Sequence, residues 1–285
     1  MTHTEEAEAR HDVPDYWVID VDQSAKFQPI LNRSPETLAL AQIAHFNEYG
    51  FIEKLHLFDQ AEADRHRRRF DSLLAEFQER SRDAYAINGY HTHIDFIWDI
   101  ATHPMLLDHV QDLLGPDIVL WGSHYFCKLP SDDREVSFHQ DATYWPFRPF
   151  KTVTVWLAVD DVKQDMGPMC FLPGSHRHGK LAWKHCTDNV VLGLEVKDFE
   201  RFGEPYPLLM NAGEFSLHTD LLIHGSKTNN SSKRRCGLTL RYVPTDVRLI
   251  DKRYANWIKN AVVCRGEDPS GYWPKQIRPR SAAID

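Results

Sequence analysis

From Ile118 onward, the chain consists of short runs of β-branched and aromatic residues separated by Gly, Pro, Asn and Asp. The runs cover residues 118–126, 136–142, 152–159, 170–172, 215–224 and 238–243. No helical period lies between them, and closely spaced short strands with turn signals are typical of antiparallel sandwiches and barrels. We therefore expect an antiparallel β core over about residues 118–245.

The first third of the chain carries helical signals instead. Ser34-Pro35-Glu36 is a helix start signal and Gly50 a stop signal, so a helix is predicted between them, followed by a short strand over 51–58. A second helix is predicted over 60–80, because its apolar residues recur at i, i+3, i+4 and i+7. A third is predicted over 104–114.

The domain organisation follows from these patterns. We interpret residues 1–30, which are polar and lack a sustained period, as an N-terminal arm. Residues 31–285 are interpreted as a single domain, with its helical part over about 34–114 and its β core over about 118–245. The fold class is thus α+β, mainly β.

Charge and composition exclude several functions. The net charge of −8 argues against a protein that neutralises nucleic-acid phosphates. No run approaches the ~20 apolar residues that span a bilayer, and the N-terminus resembles no signal peptide, so a cytoplasmic protein is expected. The five scattered cysteines fit neither a disulfide framework nor a structural zinc site. Sixteen histidines in 285 residues, however, suggest a metal centre.

Common signatures of nucleotide binding and hydrolysis are missing. Gly174–Lys180 has the spacing of a phosphate-binding loop, but Leu181 stands where the Mg²⁺-binding Ser or Thr belongs. The patterns G-x-G-x-x-G, H-E-x-x-H and G-x-S-x-G do not occur.

The pattern H-x-D occurs three times, at His93–Asp95, His139–Asp141 and His218–Asp220. On a strand, residues two apart point to the same face, so this pattern can offer two ligands to one metal ion. A further histidine completes the two-histidine, one-carboxylate set of non-haem Fe(II) enzymes. On one straight strand, His218 and His224 would lie roughly 20 Å apart and could meet at one ion only through a sharp turn.

The three copies differ in their surroundings. His93 has only His103 within reach, and we interpret it as a hydrogen-bonded core or pocket-lining histidine. His139–Asp141 leads into an aromatic stretch with one arginine, residues 142–149, as a small-molecule pocket requires.

The stretch from about Ile118 to Val243 resembles the phytanoyl-CoA dioxygenase (PhyH) family of Fe(II)/2-oxoglutarate oxygenases. Four landmarks in the family's order carry the resemblance: His139-Gln-Asp141 with Tyr144-Trp145-Pro146, then Gly167-Pro-Met-Cys-Phe-Leu-Pro173-Gly174-Ser175-His176, then His224-Gly225-Ser226, and Arg235 with Arg241-Tyr242. The resemblance implies a double-stranded β-helix (jelly roll) with supporting N-terminal helices. It also implies Fe(II) as cofactor, with 2-oxoglutarate and O₂ as co-substrates.

Roles for individual residues are implied by the same resemblance. His139, Asp141 and His224 are expected to hold Fe(II), and Arg235 to pair with the distal carboxylate of 2-oxoglutarate. Neighbouring Arg234 would point to the opposite face of the strand. Ser226 and Trp156 match positions that line the co-substrate site. His124 stands where relatives often have methionine, and its role stays open.

Two further expectations concern the co-substrate and the reaction. No lysine lies between Ala84 and Cys127, where some relatives contact 2-oxoglutarate with one, and His91, Thr92 or His93 is expected in that region instead. Related halogenases have a small residue where this chain has Asp141, so hydroxylation is expected rather than halogenation.

The substrate is left as a set of alternatives. A small polar metabolite is favoured, an amine or a phosphonate such as 2-aminoethylphosphonate. Candidate contacts are Tyr90, His91, Tyr144, Trp145 and Arg148, with Lys128 and Lys151 as further cations. A CoA thioester or ectoine-like substrate, another metal-dependent cupin-like enzyme and a non-catalytic binding protein are the remaining alternatives. No nucleic-acid or membrane partner is expected, and the oligomeric state is left open.

Overall fold

The computed structural model describes residues 26–187 and 189–280. Residues 1–25, most of the predicted N-terminal arm, lie outside the described residues, and residues 26–30 have no regular secondary structure. The α-helices in the described ranges are α1 (Leu40–Tyr49), α2 (Gln60–Glu79), α3 (Asp95–Ala101), α4 (Pro104–Leu114) and α5 (Ala255–Lys259). No helix in these ranges is long and apolar enough to cross a membrane.

The strands of the described ranges are mostly short. They are β1 (Phe51–His56), β2 (Ile118–Lys128), β3 (Val136–His139), β4 (Phe147–Arg148), β5 (Val153–Ala158), β6 (Met169–Phe171), β7 (Trp183–His185), β8 (Leu194–Val196), β9 (Tyr206–Pro207), β10 (Glu214–Thr219), β11 (His224–Ser226), β12 (Arg235–Pro244), β13 (Arg248–Leu249) and β14 (Val262–Arg265).

Two antiparallel sheets form the β core. The large sheet has the order β1-β10-β5-β12-β2-β14, and the small one β3-β11-β6-β9. Apolar side chains from both, including Trp156, Met169 and Phe171, pack together between them. This confirms the predicted α+β, mainly β fold class with its jelly-roll arrangement of antiparallel strands.

The helices cover the outer face of the large sheet. Phe70, Leu73, Leu74 and Phe77 of α2 are buried, as their spacing predicted. They join a core that contains the outward-facing residues of β10, such as Phe215. Because side chains alternate along a strand, Ser216 and His218 point to the other face, toward the small sheet. The inner face of the large sheet thus carries polar residues such as His218 beside apolar ones such as Trp156.

The first helix begins five residues later than its start signal predicts, at Leu40 instead of Pro35. The carboxylate of Asp112, on α4, accepts hydrogen bonds from the backbone N–H groups of Glu36, Thr37 and Leu38 at 2.9, 2.8 and 2.7 Å. These amides face a tertiary partner, and the helix starts only at Leu40.

The predicted strand over 215–224 is divided into β10 and β11. A turn closes between them, in which the Leu222 N–H donates to the Thr219 carbonyl at 3.1 Å. The turn moves the chain from the large sheet to the small one. Residues after the predicted end of the core also join it, since β14 pairs with β2.

Candidate functional site

Two histidines and an aspartate converge where β3 and β11 pair. His139 ends β3 and lies directly opposite His224, the first residue of β11, with ring centroids 4.2 Å apart. Asp141 follows in a short 3₁₀ turn. Its Oδ1 lies 3.5 Å from Nε2 of His139 and 3.9 Å from Nε2 of His224. One ligand atom from each of these three buried residues lies within 4.8 Å of the others, so the group could hold a metal ion.

The backbone fixes which nitrogen each imidazole offers. Nδ1 of His139 lies 2.7 Å from the Ser137 carbonyl oxygen, and Nδ1 of His224 lies 3.0 Å from that of Leu222. A carbonyl oxygen only accepts, so each Nδ1 must carry the proton and donate it. Each Nε2 then has a free lone pair that faces Asp141. A hydrogen bond from the other ring nitrogen orients histidine ligands in this way.

The electrostatics favour the protonation states that a cation needs. Burial, assisted by nearby His139, lowers the pKa of His224 to about 4, so its ring is neutral near pH 7. Burial by itself would raise the pKa of Asp141, but His224, His139 and Arg241 outweigh burial and lower it below its usual range. Neutral imidazoles and an ionised carboxylate are the donors that Fe(II) takes in two-histidine, one-carboxylate sites.

The residue between the two ligands of H-x-D is itself structural. Gln140 is fully buried, and its Nε2 donates to the carbonyl oxygens of Gly179 and Leu221 at 2.8 and 2.6 Å. Its Oε1 accepts from the Leu181 N–H at 2.8 Å. One amide therefore joins the turn at Asp141 to the segment that leads into β11, which holds the three candidate ligands in register.

A buried arginine lines the same cavity as the triad. Arg235, on β12, is 2% exposed. Its Nη2 donates to the Gly167 carbonyl at 2.6 Å and to Ser226 Oγ at 3.2 Å, whereas its Nε has no hydrogen-bond partner among the described residues. No described carboxylate lies within ion-pair distance of it. A buried, uncompensated guanidinium is costly unless an anion joins it, and its planar fork suits a carboxylate.

Trp156 forms the wall beside Arg235. The guanidinium carbon lies 5.9 Å from the centroid of the indole ring. The indole also packs against β12 at Gly237, where a Cβ atom would lie 2.0 Å from Trp156 Cζ2. Only glycine at this position leaves room for the indole in the cavity wall. Arg234, by contrast, points away and forms two 2.8 Å hydrogen bonds with Asp160.

A larger cleft opens next to this cavity. The cavity has a volume of about 40 Å³ and the cleft one of about 590 Å³, and both are lined by Phe126, Asp141 and Arg241. The guanidinium carbon of Arg241 lies 5.6 and 5.2 Å from the ring centroids of Trp121 and Trp145. Nε of Arg241 and Nε1 of Trp121 are buried without a hydrogen-bond partner among the described residues. The cleft is therefore aromatic-walled and offers unused donors.

The other predicted site residues have different positions. Tyr144 and Trp145 line the cleft, and so does His124, whose Nε2 lies 2.7 Å from the Tyr85 carbonyl oxygen. His91 lines it too, but both ring nitrogens are engaged, with Ser123 Oγ at 2.8 Å and the Asn260 carbonyl at 2.7 Å.

Two predicted substrate contacts are not among the residues that line the cleft or the cavity. Tyr90 packs against Phe77, and its hydroxyl accepts a 3.1 Å hydrogen bond from Arg82. Arg148 stacks on Phe150, with its guanidinium carbon 3.6 Å from the ring centroid. The structure therefore does not bring these two together with the triad, because their side chains are used in local packing.

Several lining residues were given no role by the sequence analysis. Arg241 and Thr154 line the cavity, and so does His218, which was set aside with the third H-x-D. Even spacing from Arg235 was a usable signal for Arg241, because both then share one strand face. The C-terminal segment also contributes to the cleft, through Asn256, Trp257 and Asn260. No sequence motif in that segment predicted their role.

Comparisons with known proteins agree with this geometry. The family model described as "Phytanoyl-CoA dioxygenase (PhyH)" matches residues 46–237, about two thirds of the chain. A relative from Bos taurus, "Phytanoyl-CoA dioxygenase, peroxisomal", is 23% identical over 247 residues, which cover 77% of this chain and 72% of the relative.

Solved structures agree as well. One described as "non-heme monooxygenase; ThoJ apo" superposes with a TM-score of 0.71 at 25% identity, covering 84% of this chain and 88% of that one. "CytC3 with Fe(II) and alpha-ketoglutarate" superposes with a TM-score of 0.62 at 21% identity, covering 88% of this chain and 100% of that one. The chain belongs to the phytanoyl-CoA dioxygenase (PhyH) family and is a 2-oxoglutarate-dependent dioxygenase that uses Fe(II).

Proposed function

We propose that this enzyme hydroxylates a small metabolite that carries an anionic group, with His139, Asp141 and His224 as its Fe(II) ligands. The observation that carries the proposal is the convergence of two Nε2 atoms and one carboxylate oxygen in a buried cavity. Each imidazole is already held in the Nδ1–H tautomer by a backbone carbonyl. Three protein ligands leave positions open for other molecules, as oxygen-activating Fe(II) sites require.

When bound, Fe(II) and 2-oxoglutarate supply the oxidising power that inserts an oxygen atom into a C–H bond. The protein's own part is to bind, to orient and to exclude water. Arg235 anchors the distal carboxylate of 2-oxoglutarate through its Nε, which has no partner among the described residues, while its Nη2 donates to Gly167 and Ser226. The indole of Trp156 keeps water from this contact.

The substrate is assigned to the adjoining cleft. Its charged lining side chains, among the residues described, are Arg241 and Asp141, and the latter is committed to the metal. The Arg241 guanidinium lies over one face each of Trp121 and Trp145, and its positive charge disfavours a cationic amine beside them. Unused donors on Arg241 and Trp121 suit an anion or another acceptor-rich group.

These features favour the phosphonate over the simple amine among the alternatives. A carboxylate would satisfy the same donors. A CoA thioester is disfavoured, since one arginine is too little positive charge for the phosphates of CoA. The carboxylate of Asp141 favours hydroxylation, because it fills the position that a halide would need.

The test is an anaerobic titration of the protein with Fe(II) and then 2-oxoglutarate, monitored by visible absorption. Wild type is expected to give the iron-to-ketoacid charge-transfer band, and His139→Ala is expected to give none. Succinate release is then measured with phosphonates, carboxylates and amines of similar size. A folded wild-type protein that binds Zn²⁺ or Mn²⁺ but shows no band would refute the oxygenase assignment and favour another metal-dependent enzyme.

A further inference from the structure

The histidine of the third H-x-D copy, His218–Asp220, lies beside the candidate metal ligands. His218, on β10, is 1% exposed, and its ring centroid lies 4.8 Å from that of His224. Neither of its ring nitrogens has a hydrogen-bond partner among the described residues, although both are buried. Buried polar groups are nearly always paired, so a histidine with two idle nitrogens calls for an explanation.

The aspartate of that copy does not form a site with His218. Asp220 lies in the turn after β10, where its Oδ1 accepts a 3.2 Å hydrogen bond from Thr219 Oγ1. Its backbone carbonyl accepts from the Ala142 N–H at 2.9 Å, next to Asp141. His218 therefore acts apart from its own motif.

The sheet register brings His218 into the cavity that Asp141 lines. His218 of β10 pairs with Thr154 of β5, which pairs in turn with Arg241 of β12. Directly opposed residues in antiparallel strands project to the same face, so these three polar side chains form one row. All three line the cavity that contains Asp141.

The two oxygens of Asp141 face different partners. Oδ1 is the oxygen nearest Nε2 of both His139 and His224. Oδ2 lies 3.5 Å from Thr154 Oγ1 and 3.9 Å from Nε2 of His218. The second distance exceeds the longest usual N–H···O separation by about 0.7 Å, so a hydrogen bond from His218 to Oδ2 requires the carboxylate or the imidazole to shift by that much.

We propose that His218 is a positioning residue for the metal ligand Asp141. With Thr154, it holds Oδ2 by hydrogen bonding, so that Asp141 offers a single oxygen to the metal and leaves the remaining positions open. The inference rests on the proposed function, since it takes Asp141 as a ligand. His218 is not itself a ligand, because its Nε2 faces the oxygen turned away from the triad.

The test compares Fe(II) affinity in two variants by anaerobic titration of the full chain. His218→Leu is expected to weaken Fe(II) binding by about 10- to 100-fold, the usual effect of removing a hydrogen-bond partner of a metal ligand. His218→Gln, which keeps an N–H donor at a similar reach, is expected to restore most of that loss. The control is His66→Leu, which removes a partly buried histidine with an unpaired Nδ1 on α2 and should leave affinity unchanged.

Two further readouts separate positioning from other roles. Thr154→Val removes the other contact to Oδ2 and is expected to weaken Fe(II) binding in the same direction, which keeps the proposal testable if His218→Leu fails to fold. The d–d absorption of the Co(II)-loaded His218→Gln variant should match that of wild type, because the ligand set is unchanged.

Three results would overturn the inference. One is wild-type affinity in folded His218→Leu; another is equal loss in the Leu and Gln variants, which indicates packing alone. The third is complete loss of Fe(II) binding in His218→Leu together with an altered Co(II) spectrum in His218→Gln, which would make His218 a ligand. A wild-type protein without the charge-transfer band would instead refute the proposed function, whatever the variants do.

Discussion

Exchanging each of two adjacent arginines for methionine should separate co-substrate binding from stability. Arg235 is buried in the cavity without a carboxylate partner among the described residues, whereas Arg234 is bound to Asp160 and, at 2.6 Å, to Asp71. A charge-assisted hydrogen bond contributes about 1.5–3 kcal/mol. Arg235→Met should therefore raise KM for 2-oxoglutarate roughly 10- to 150-fold, at about 1.4 kcal/mol per factor of ten.

The two variants should rank in the opposite order in stability: Arg234→Met should be destabilised and Arg235→Met should not. Arg235→Met removes a buried, unpaired charge, so its melting temperature should equal or exceed that of wild type. Arg234→Met leaves Asp160 without its bidentate partner, a loss of about 1 kcal/mol that corresponds to roughly 2–4 °C in melting temperature. It should leave KM for 2-oxoglutarate unchanged.

The assay is succinate release across a 2-oxoglutarate series at saturating Fe(II), with thermal denaturation of the metal-free protein in parallel. If Arg235→Met kept the wild-type KM, the assignment of the cavity to 2-oxoglutarate would fail. If Arg234→Met raised KM as much as Arg235→Met, the claim that the two arginines point to opposite faces of β12 would fail.

Two other substitutions test the walls of the site. Gly237→Ala places a Cβ 2.0 Å from the ring of Trp156, so the indole must shift. KM for 2-oxoglutarate should rise and the melting temperature should fall. An unchanged KM would show that Trp156 does not shape the 2-oxoglutarate site. Burial lowers the pKa of His91 to about 4. Because an unfolded histidine binds its proton near pH 6.5, the wild type should lose stability as the pH falls from 6.5 toward 4, and His91→Phe should show a shallower loss in denaturant unfolding measured at several pH values.

Local patterns sufficed for much of this fold. The spacing of Phe70, Leu73, Leu74 and Phe77 identified the buried face of α2, because a helix repeats every 3.6 residues wherever it packs. Alternation along a strand was enough to separate Arg235 from Arg234. The H-x-D pattern named His139 and Asp141 as a pair, since residues so close in sequence cannot separate in space.

The sequence named three H-x-D copies, but their different environments are tertiary properties. His218 and His224 meet because a turn sends the chain from one sheet to the other, which a strand pattern over 215–224 conceals. The start of α1 was displaced by Asp112, a residue more than seventy positions away in the chain.

The roles of the individual site residues also depend on tertiary structure. The residue types and the family are properties of the sequence, because donor chemistry and motif order are written in it. Strand register and burial alone decided three features of the site. Arg235 has no counter-ion among the described residues, Arg241 lies close to two indoles, and Oδ1 and Oδ2 of Asp141 face different partners. Register joins residues that are distant in the chain, and burial makes an unpaired polar atom costly; no local pattern encodes either property.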